Sequence, residues 1–179
     1  MKIESITVAG FRGYNERIEI PIPNLCVFVG PNDIGKSTIL EALDIFFNDG
    51  KGCVKLDKDD INKTELAEGR TEIEIGVEFS DLPGEIVIDA TNKTTLRGEY
   101  LLTENGTLKV VKRYVNAGKP KVLIRAMHPV NPECQDLLLK KHTELKRLLD
   151  DLGLECSDKS KSADIRKSIW DGLDSKTKC

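Results

Sequence analysis

One short segment of the chain has the residue spacing of a phosphate-binding loop. Residues 30–37 read Gly-Pro-Asn-Asp-Ile-Gly-Lys-Ser and match the pattern G-x-x-x-x-G-K-[ST]. Glycine at both ends lets backbone N–H groups approach an anion without side-chain obstruction, and a helix starting here adds the partial positive charge of its N-terminus. The pattern predicts a nucleoside triphosphate site in which Lys36 meets the β- and γ-phosphates and the Ser37 hydroxyl is a ligand of Mg²⁺.

Such a loop needs a strand before it and a helix after it. Residues 25–29, Leu-Cys-Val-Phe-Val, are apolar throughout, which predicts a central strand covered on both faces. After the loop, Leu40, Leu43 and Phe47 recur at helical spacing, and Asn-Asp-Gly at 48–50 predicts the helix end. The alternative is a plain glycine turn between a strand and a helix, with an incidental Lys-Ser pair.

Hydrolysis of a bound nucleotide also needs an acid that holds the metal, usually an aspartate that ends an apolar strand. Residues 87–90, Val-Ile-Asp-Ala, form an apolar run ending in Asp89, but no glutamate follows. We interpret Asp89 as an exposed residue at a strand end, so no catalytic acid is predicted. A self-contained small NTPase or kinase that uses Asp89 to coordinate Mg²⁺ is the alternative.

The rest of the chain predicts an antiparallel β-meander followed by helices. Residues 72–79 alternate between apolar and acidic, and antiparallel pairing of neighbouring strands is expected from about 71 to 127. Asn105-Gly106 predicts a tight hairpin turn, and residues 116–120 predict a second one. Leucines from 137 to 149 lie on one side of a helix that Gly153 ends, and a second helix is expected from about 162 to 173. We divide the chain into residues 1–128, a P-loop lobe with an antiparallel sheet, and 129–179, a helical tail.

Composition narrows the class of protein. The 179 residues carry a net charge of −3 and are 39% hydrophobic, which excludes a mainly disordered chain. No apolar run approaches the roughly 20 residues of a membrane helix, and the first residues lack the apolar core of a secretory signal. Five cysteines without a C-x-x-C pair favour neither a disulfide framework nor a zinc site. We expect a cytoplasmic protein with no membrane partner.

Charge is distributed unevenly along the chain. Residues 41–89 contain 14 acids and 5 bases, whereas residues 90–132 contain 8 bases and 2 acids. The basic segment predicts, as a further alternative, a nucleic-acid-binding module, although two solvated sheet faces of different sign would give the same count. The candidate contacts are Lys109, Lys112, Arg113, Lys119, Lys121 and Arg125.

Several segments resemble a known family. Phe-Arg-Gly-Tyr at 11–14, residues 24–30 and the run from Gly30 to Leu43 resemble the N-terminus of ABC-type ATPase heads of the SMC and RecF kind. The spelling Asn-Asp-Ile-Gly-Lys-Ser at 32–37 and the later Phe46-Phe47 are most similar to OLD-family (overcoming lysogenisation defect) ATPases, including those of bacterial anti-phage systems. The specific resemblance covers about the first third of the chain.

The resemblance implies an α/β fold: a P-loop NTPase, the N-terminal lobe of an ABC-type ATPase head, with an antiparallel β-meander and a C-terminal helical segment. It implies ATP and Mg²⁺ as cofactors. It also places Arg12 near the nucleotide and Gln135 where a glutamine couples lobe movement to the γ-phosphate and metal; a solvated turn arginine and an ordinary helix-start glutamine are the alternatives. The implied nucleotide contacts are Gly30, Pro31, Asn32, Asp33, Ile34, Gly35, Lys36, Ser37 and Thr38.

Other family motifs do not occur in the 179 residues. Related heads continue with an L-S-G-G-like signature, an apolar strand ending in Asp-Glu and a switch histidine, and OLD-family proteins add a Toprim nuclease domain. The resemblance therefore implies half of a head, completed by a missing ATPase half or a partner nuclease chain, with DNA as a further candidate partner. Such a piece should bind nucleotide weakly and hydrolyse it poorly.

Self-association is expected on two grounds. In related heads ATP is sandwiched between the P-loop of one subunit and the signature of another. In addition, the apolar residues of the two tail helices need a partner surface, so we expect them to form an exposed patch that favours a dimer. These residues are Leu137, Leu138, Leu145, Leu148, Leu149, Ile165, Ile169 and Trp170.

Overall fold

The computed structural model describes residues 1–31, 35–49, 51–89, 92–129 and 131–174. No helix among these residues is both long enough and apolar enough to cross a membrane. They form two compact units, the first made of residues 1–82 and 107–125 and the second of 83–106 and 126–179. The strands and helices, in chain order, are β1 (Lys2–Ala9), β2 (Ile18–Pro21), α1 (Lys36–Asn48), α2 (Lys63–Ala67), β3 (Glu72–Ser80), β4 (Ile86–Asp89), β5 (Asn92–Thr94), β6 (Leu108–Val115), β7 (Pro120–Arg125), α3 (His142–Asp151) and α4 (Ser162–Asp174).

The first unit is a five-stranded antiparallel sheet with α1 packed on one face. The strand order is β2-β1-β3-β6-β7, so the two edges of the sheet are β2 and β7. Alternation along β3 directs Ile73, Ile75 and Val77 into the core, where they are fully buried, and directs the glutamates to the opposite face. The alternation of apolar and acidic residues over 72–79 therefore produces a strand with one buried face, as predicted.

The strand pairing differs from the predicted meander. β3 pairs with β6, and the two strands between them in the chain form a separate hairpin, β4–β5. Asn105-Gly106 does not join two strands; Gly106 lies in a turn that its N–H closes by donating to the Thr103 carbonyl. The turn at residues 116–117 does join β6 to β7, as predicted, with φ of 52° and 53°. Strand pairing depends on long-range packing that a local turn signal does not contain, which is why the hairpin predicted at Asn105-Gly106 was wrong although the neighbours β4–β5 and β6–β7 do pair.

The strand predicted at residues 25–29 is not formed. Leu25, Val27 and Val29 are 83%, 70% and 87% exposed, while Phe28 packs partly against the core. The segment alternates as an extended chain does, but no strand among the described residues pairs with it. An apolar run becomes a central strand only when neighbours cover it, and the described part of the chain supplies a cover on one side alone.

Helix α1 also uses a different face from the predicted one. Its buried residues are Ile39, Ala42, Ile45 and Phe46. Of the residues expected to define the core face, Leu40 and Phe47 are 57% and 52% exposed, and Leu43 is partly buried against the core. The helix carries two adjacent apolar stripes, and periodicity alone does not tell which of them meets the sheet.

The helical segment of the second unit buries its own apolar residues, so the predicted exposed patch is wrong. Leu145 and Leu149 of α3 and Ile169 and Trp170 of α4 are fully buried in a cluster that also contains Cys134. The long predicted helix is shorter than expected, because residues 137–139 form a separate 3-10 turn and α3 begins at His142. Helix α4 spans Ser162–Asp174, close to its predicted range. The apolar residues of α3 and α4 pack against each other, so they no longer provide a reason to expect self-association.

Tyr114 offers a test of the core of the first unit. Its hydroxyl is buried, has no hydrogen-bond partner among the described residues, and burial raises its pKa to about 12. In the unfolded chain the pKa of this hydroxyl is about 10. The neutral hydroxyl therefore contributes fully to the free energy of unfolding below pH 10, and this free energy falls by up to about 2 kcal/mol as the pH rises towards 12. We expect Tyr114→Phe to remove this loss and to be neutral or stabilising by up to about 1 kcal/mol at pH 7. Urea unfolding followed by circular dichroism at pH 7, 10 and 11 measures both effects, and a clear loss of stability at pH 7 would contradict them.

Candidate functional site

Gly35 sets the start of α1 and is held by an aromatic side chain. It is the N-cap of the helix and has φ of 89°, which glycine adopts without strain. The Tyr14 hydroxyl donates to the Gly35 carbonyl at 3.2 Å, and a Cβ at position 35 would lie 2.7 Å from that hydroxyl. The backbone angle therefore favours glycine here, and a larger residue would also displace the end of the Tyr14 side chain.

Lys36, the first residue of α1, reaches back across the loop. Its Nζ donates to the carbonyl of Gly30 at 2.6 Å and to that of Pro31. The ammonium thus lies at the carbonyls of two residues that precede the helix, and the first turn of α1 carries no acidic residue that would oppose an anion. This arrangement places the positive charge of a side chain and that of a helix end at the same loop.

The remaining loop residues are described in part. Gly30 has φ of 154°, Ser37 is exposed in the first turn of α1 and Thr38 is partly exposed. Asn32, Asp33 and Ile34 lie outside the described residues, so their predicted contacts remain predictions. Among the described residues there is no group of three or more His, Cys, Asp or Glu side chains that could hold a metal ion by itself.

The residues present fit a Mg²⁺ ion that arrives with a nucleotide. Magnesium in nucleotide sites keeps several waters and takes most of its other ligands from phosphate oxygens, with few from the protein. The exposed Ser37 hydroxyl is one such oxygen, and it lies next to Lys36 at the helix start. Ser37 would therefore hold the ion, whose positive charge would offset that of the phosphates.

Arg12 lies in a network of carboxylates that ties the first turn of the chain to α1. Its Nε donates to Asp60 Oδ1 at 2.7 Å and its Nη1 donates to Glu41, one turn and a half along α1 from Lys36. Burial lowers the pKa of Arg12, but hydrogen bonds to Asp60 and Glu41 outweigh this and raise it. The Asn62 amide in turn donates to the Arg12 carbonyl at 2.6 Å. Arg12 is thus a fixed cation of the turn and not a freely solvated side chain; its contact with nucleotide remains a prediction.

Three residues of this site were not singled out from the sequence: Tyr14, Glu41 and Asp60. Tyr14 contacts Gly35, while Glu41 and Asp60 hold Arg12. The only available signal was that Tyr14 and Arg12 share one short turn, since Asp60 lies 48 residues from Arg12 in the sequence. Such long-range partners become visible only in the folded chain.

The candidate nucleic-acid contacts do not form one free basic surface. Lys109 pairs with Glu19 and Glu78, and Lys112 pairs with Asp49 and donates to the Phe46 carbonyl. Arg113 and Arg125 both pair with one buried carboxylate, described below, while Lys119 and Lys121 are exposed. Apart from Glu19, the acidic side chains that these cations contact lie within the acid-rich residues 41–89, so much of the charge of both segments is neutralised by ion pairs within the protein.

The two other candidate residues lie in the second unit. Strand β4 ends at Asp89 and pairs only with β5 among the described strands, and its Val87 is 65% exposed. An exposed two-stranded hairpin differs from the buried strand that usually presents a metal-binding aspartate. Gln135 follows a short 3-10 helix and is exposed. Its role at the metal remains a prediction.

Comparisons with known proteins bear on the whole chain. A family model described as AAA ATPase domain matches residues 1–178. No curated protein matches the chain.

Two solved structures show weak similarity. One is a chain described under the ATP-driven dimerization and DNA-stimulated activation of SMC ATPases; it is 16% identical with a TM-score of 0.45, over 85% of this chain and 99% of that one. The other is an SmcHead bound to the C-winged helix domain of ScpA, also 16% identical with a TM-score of 0.45, over 96% of this chain and 56% of that one.

Proposed function

The chain belongs to the AAA ATPase domain family, and from this we propose that it is the Mg·ATP-binding N-terminal lobe of an OLD-like ATPase head that acts in DNA metabolism or anti-phage defence. The observation that carries the proposal is the position of Lys36 at the start of α1, directly after the left-handed Gly35, with its ammonium on the loop carbonyls of Gly30 and Pro31. Phosphate oxygens at this loop would replace those carbonyls as partners of Lys36.

Different residues of the site bind different parts of Mg·ATP. Loop N–H groups and the N-terminus of α1 orient the phosphates, and Lys36 neutralises charge on them. Ser37 holds Mg²⁺, and Tyr14 keeps Gly35 in the conformation that starts the helix. Arg12 adds a fixed cation beside α1 through its contacts with Glu41 and Asp60. These residues bind and orient a nucleotide, but none of them activates a water molecule.

Two exposed apolar surfaces support the view that further protein completes the head. Leu25, Val27 and Val29 face solvent before the loop, and Leu40 and Phe47 face solvent on α1. Large apolar side chains grouped in this way mark surfaces that another part of a protein covers. We assign this cover to the missing ATPase half or to a partner nuclease chain, and we retain self-association around ATP as part of the proposal.

We expect the chain by itself to bind Mg·ATP and to hydrolyse it negligibly. Oriented phosphates without a catalytic acid and a signature from a second subunit lack most of the stabilisation of the transition state. Calorimetry with Mg·ATP and phosphate release over several hours test the two parts of this prediction. Turnover that Asp89→Asn abolishes would support the self-contained NTPase instead, and the absence of any nucleotide binding would overturn the proposed site.

A further inference from the structure

A cavity of about 630 Å³ lies in the first unit and shares no residue with the phosphate-binding loop. It is formed at the ends of β1, β3 and β6 and beside α2. Four arginines and three glutamates line it: Arg17, Arg70, Arg113, Arg125, Glu65, Glu72 and Glu74. Its size is that of a small-molecule site.

Three of these arginines converge on one carboxylate. The Glu74 side chain is only 9% exposed, and its oxygens accept hydrogen bonds from Arg113 Nε at 3.0 Å and from Arg125 Nη2 at 3.1 Å. Arg17 Nη1 forms an ion pair with Glu74 Oε1 at 3.3 Å. A guanidinium has five N–H donors, so the three together offer about fifteen, whereas a carboxylate has about four acceptor positions. The arginine side chains are 36–41% exposed, so their remaining donors are accessible from the cavity.

The sheet register places a small residue beside the ion cluster. Ala9 is opposite Glu74 and Glu74 is opposite Arg113, so the three lie in one row across adjacent strands. Residues opposite each other in an antiparallel sheet share a face. The small side chain of Ala9, which also lines the cavity, leaves space next to the arginines.

Asn15 also lines the cavity. Its Oδ1 atom is closed to solvent and has no hydrogen-bond donor among the described residues, so it is not a contact for a ligand in this conformation. The groups that the cavity offers to a ligand are therefore the guanidiniums, which suit an anion.

From this juxtaposition we infer that the cavity binds a small phosphomonoester. Guanidinium forks match phosphate oxygens, and the surplus of N–H donors around Glu74 is suited to a dianion. A nucleic-acid backbone fits less well, because the arginines are gathered in one cavity of about 630 Å³ and are not spread along a track that a long polyanion could follow.

Ribose 5-phosphate is a suitable probe, with calorimetry at low ionic strength on the full chain carrying Lys36→Ala, so that binding at the loop does not contribute. We expect saturable binding that Arg113→Gln weakens about tenfold, since it removes a charge-assisted contact. Glu74→Gln removes the carboxylate that competes for the guanidiniums and should tighten this binding several-fold. Because the same change would free the guanidiniums of a purely structural ion cluster, such a cluster is recognised by the absence of saturable binding before the change.

Lys93→Gln is the matched control, because it removes one exposed lysine of the second unit that pairs with Glu85, and it should leave binding unchanged. Thermal melts establish that each variant is folded, and the double variant Glu74→Gln/Arg113→Gln replaces Arg113→Gln if the single change unfolds the chain. Two results with ribose 5-phosphate would overturn the inference: binding that occurs only when Lys36 is present, or an affinity that Glu74→Gln does not increase. Binding of a single-stranded oligonucleotide alone, with steep salt dependence, would overturn it as well. None of these outcomes bears on ATP binding at Lys36, which is measured separately.

Discussion

Lys36→Ala is expected to lower the affinity for Mg·ATP by about 100-fold while the chain stays folded. The Lys36 ammonium contacts only loop carbonyls in the described structure, so its removal leaves no buried carboxylate unpaired and opens no cavity in the core. It does remove charge-assisted hydrogen bonds to the phosphates, which are worth roughly 1.5–3 kcal/mol each. Calorimetry with Mg·ATP measures the change, and circular dichroism tests the fold.

Lys63→Ala is the control for this prediction, because Lys63 is an exposed lysine at the start of α2 in the same unit. It changes the net charge by the same amount and should leave the affinity as it is. Equal affinities for wild type and Lys36→Ala would show that the nucleotide, if bound, lies elsewhere.

The second large effect is expected from the buried ion pair of the second unit. Arg166 on α4 donates through Nε and Nη2 to the two carboxylate oxygens of Glu99, both at 2.8 Å, and each side chain is 1% exposed. Removing one partner leaves an uncompensated buried charge, so we expect Arg166→Met to lower the free energy of unfolding by about 3–5 kcal/mol. The double variant Arg166→Met/Glu99→Leu should recover much of this loss, because no buried charge remains.

Trp170 is the single tryptophan of the chain and is fully buried in the same unit, so its fluorescence during urea unfolding reports on this region. Arg147→Met provides the control, since the pair of Arg147 with Asp151 is 3.8 Å long and largely exposed, and its loss should leave stability unchanged. A double variant as unstable as Arg166→Met would argue against charge burial as the cause and for lost packing.

Local signals determined several helix ends and turns. The start of α1, its C-cap at Asp49 with φ of 50°, the 116–117 turn and the extent of α4 each depend on residues close in sequence. Caps, turns and helical spacing are set by neighbours within about four residues, so a single sequence contains them. The same locality is why Lys36 and Ser37 could be proposed from the sequence as nucleotide-binding residues.

Only the tertiary structure decided which surfaces are covered and which strands pair. Residues 25–29 are apolar in either case, but their burial depends on neighbours that the described chain does not provide. Likewise, the pairing of β3 with β6 brings Arg113 opposite Glu74, 39 residues away, and packing of α3 on α4 buries leucines that looked unpartnered. Burial and long-range ion pairs are properties of the packed chain, because each is set by residues far apart in sequence whose contact depends on the fold as a whole.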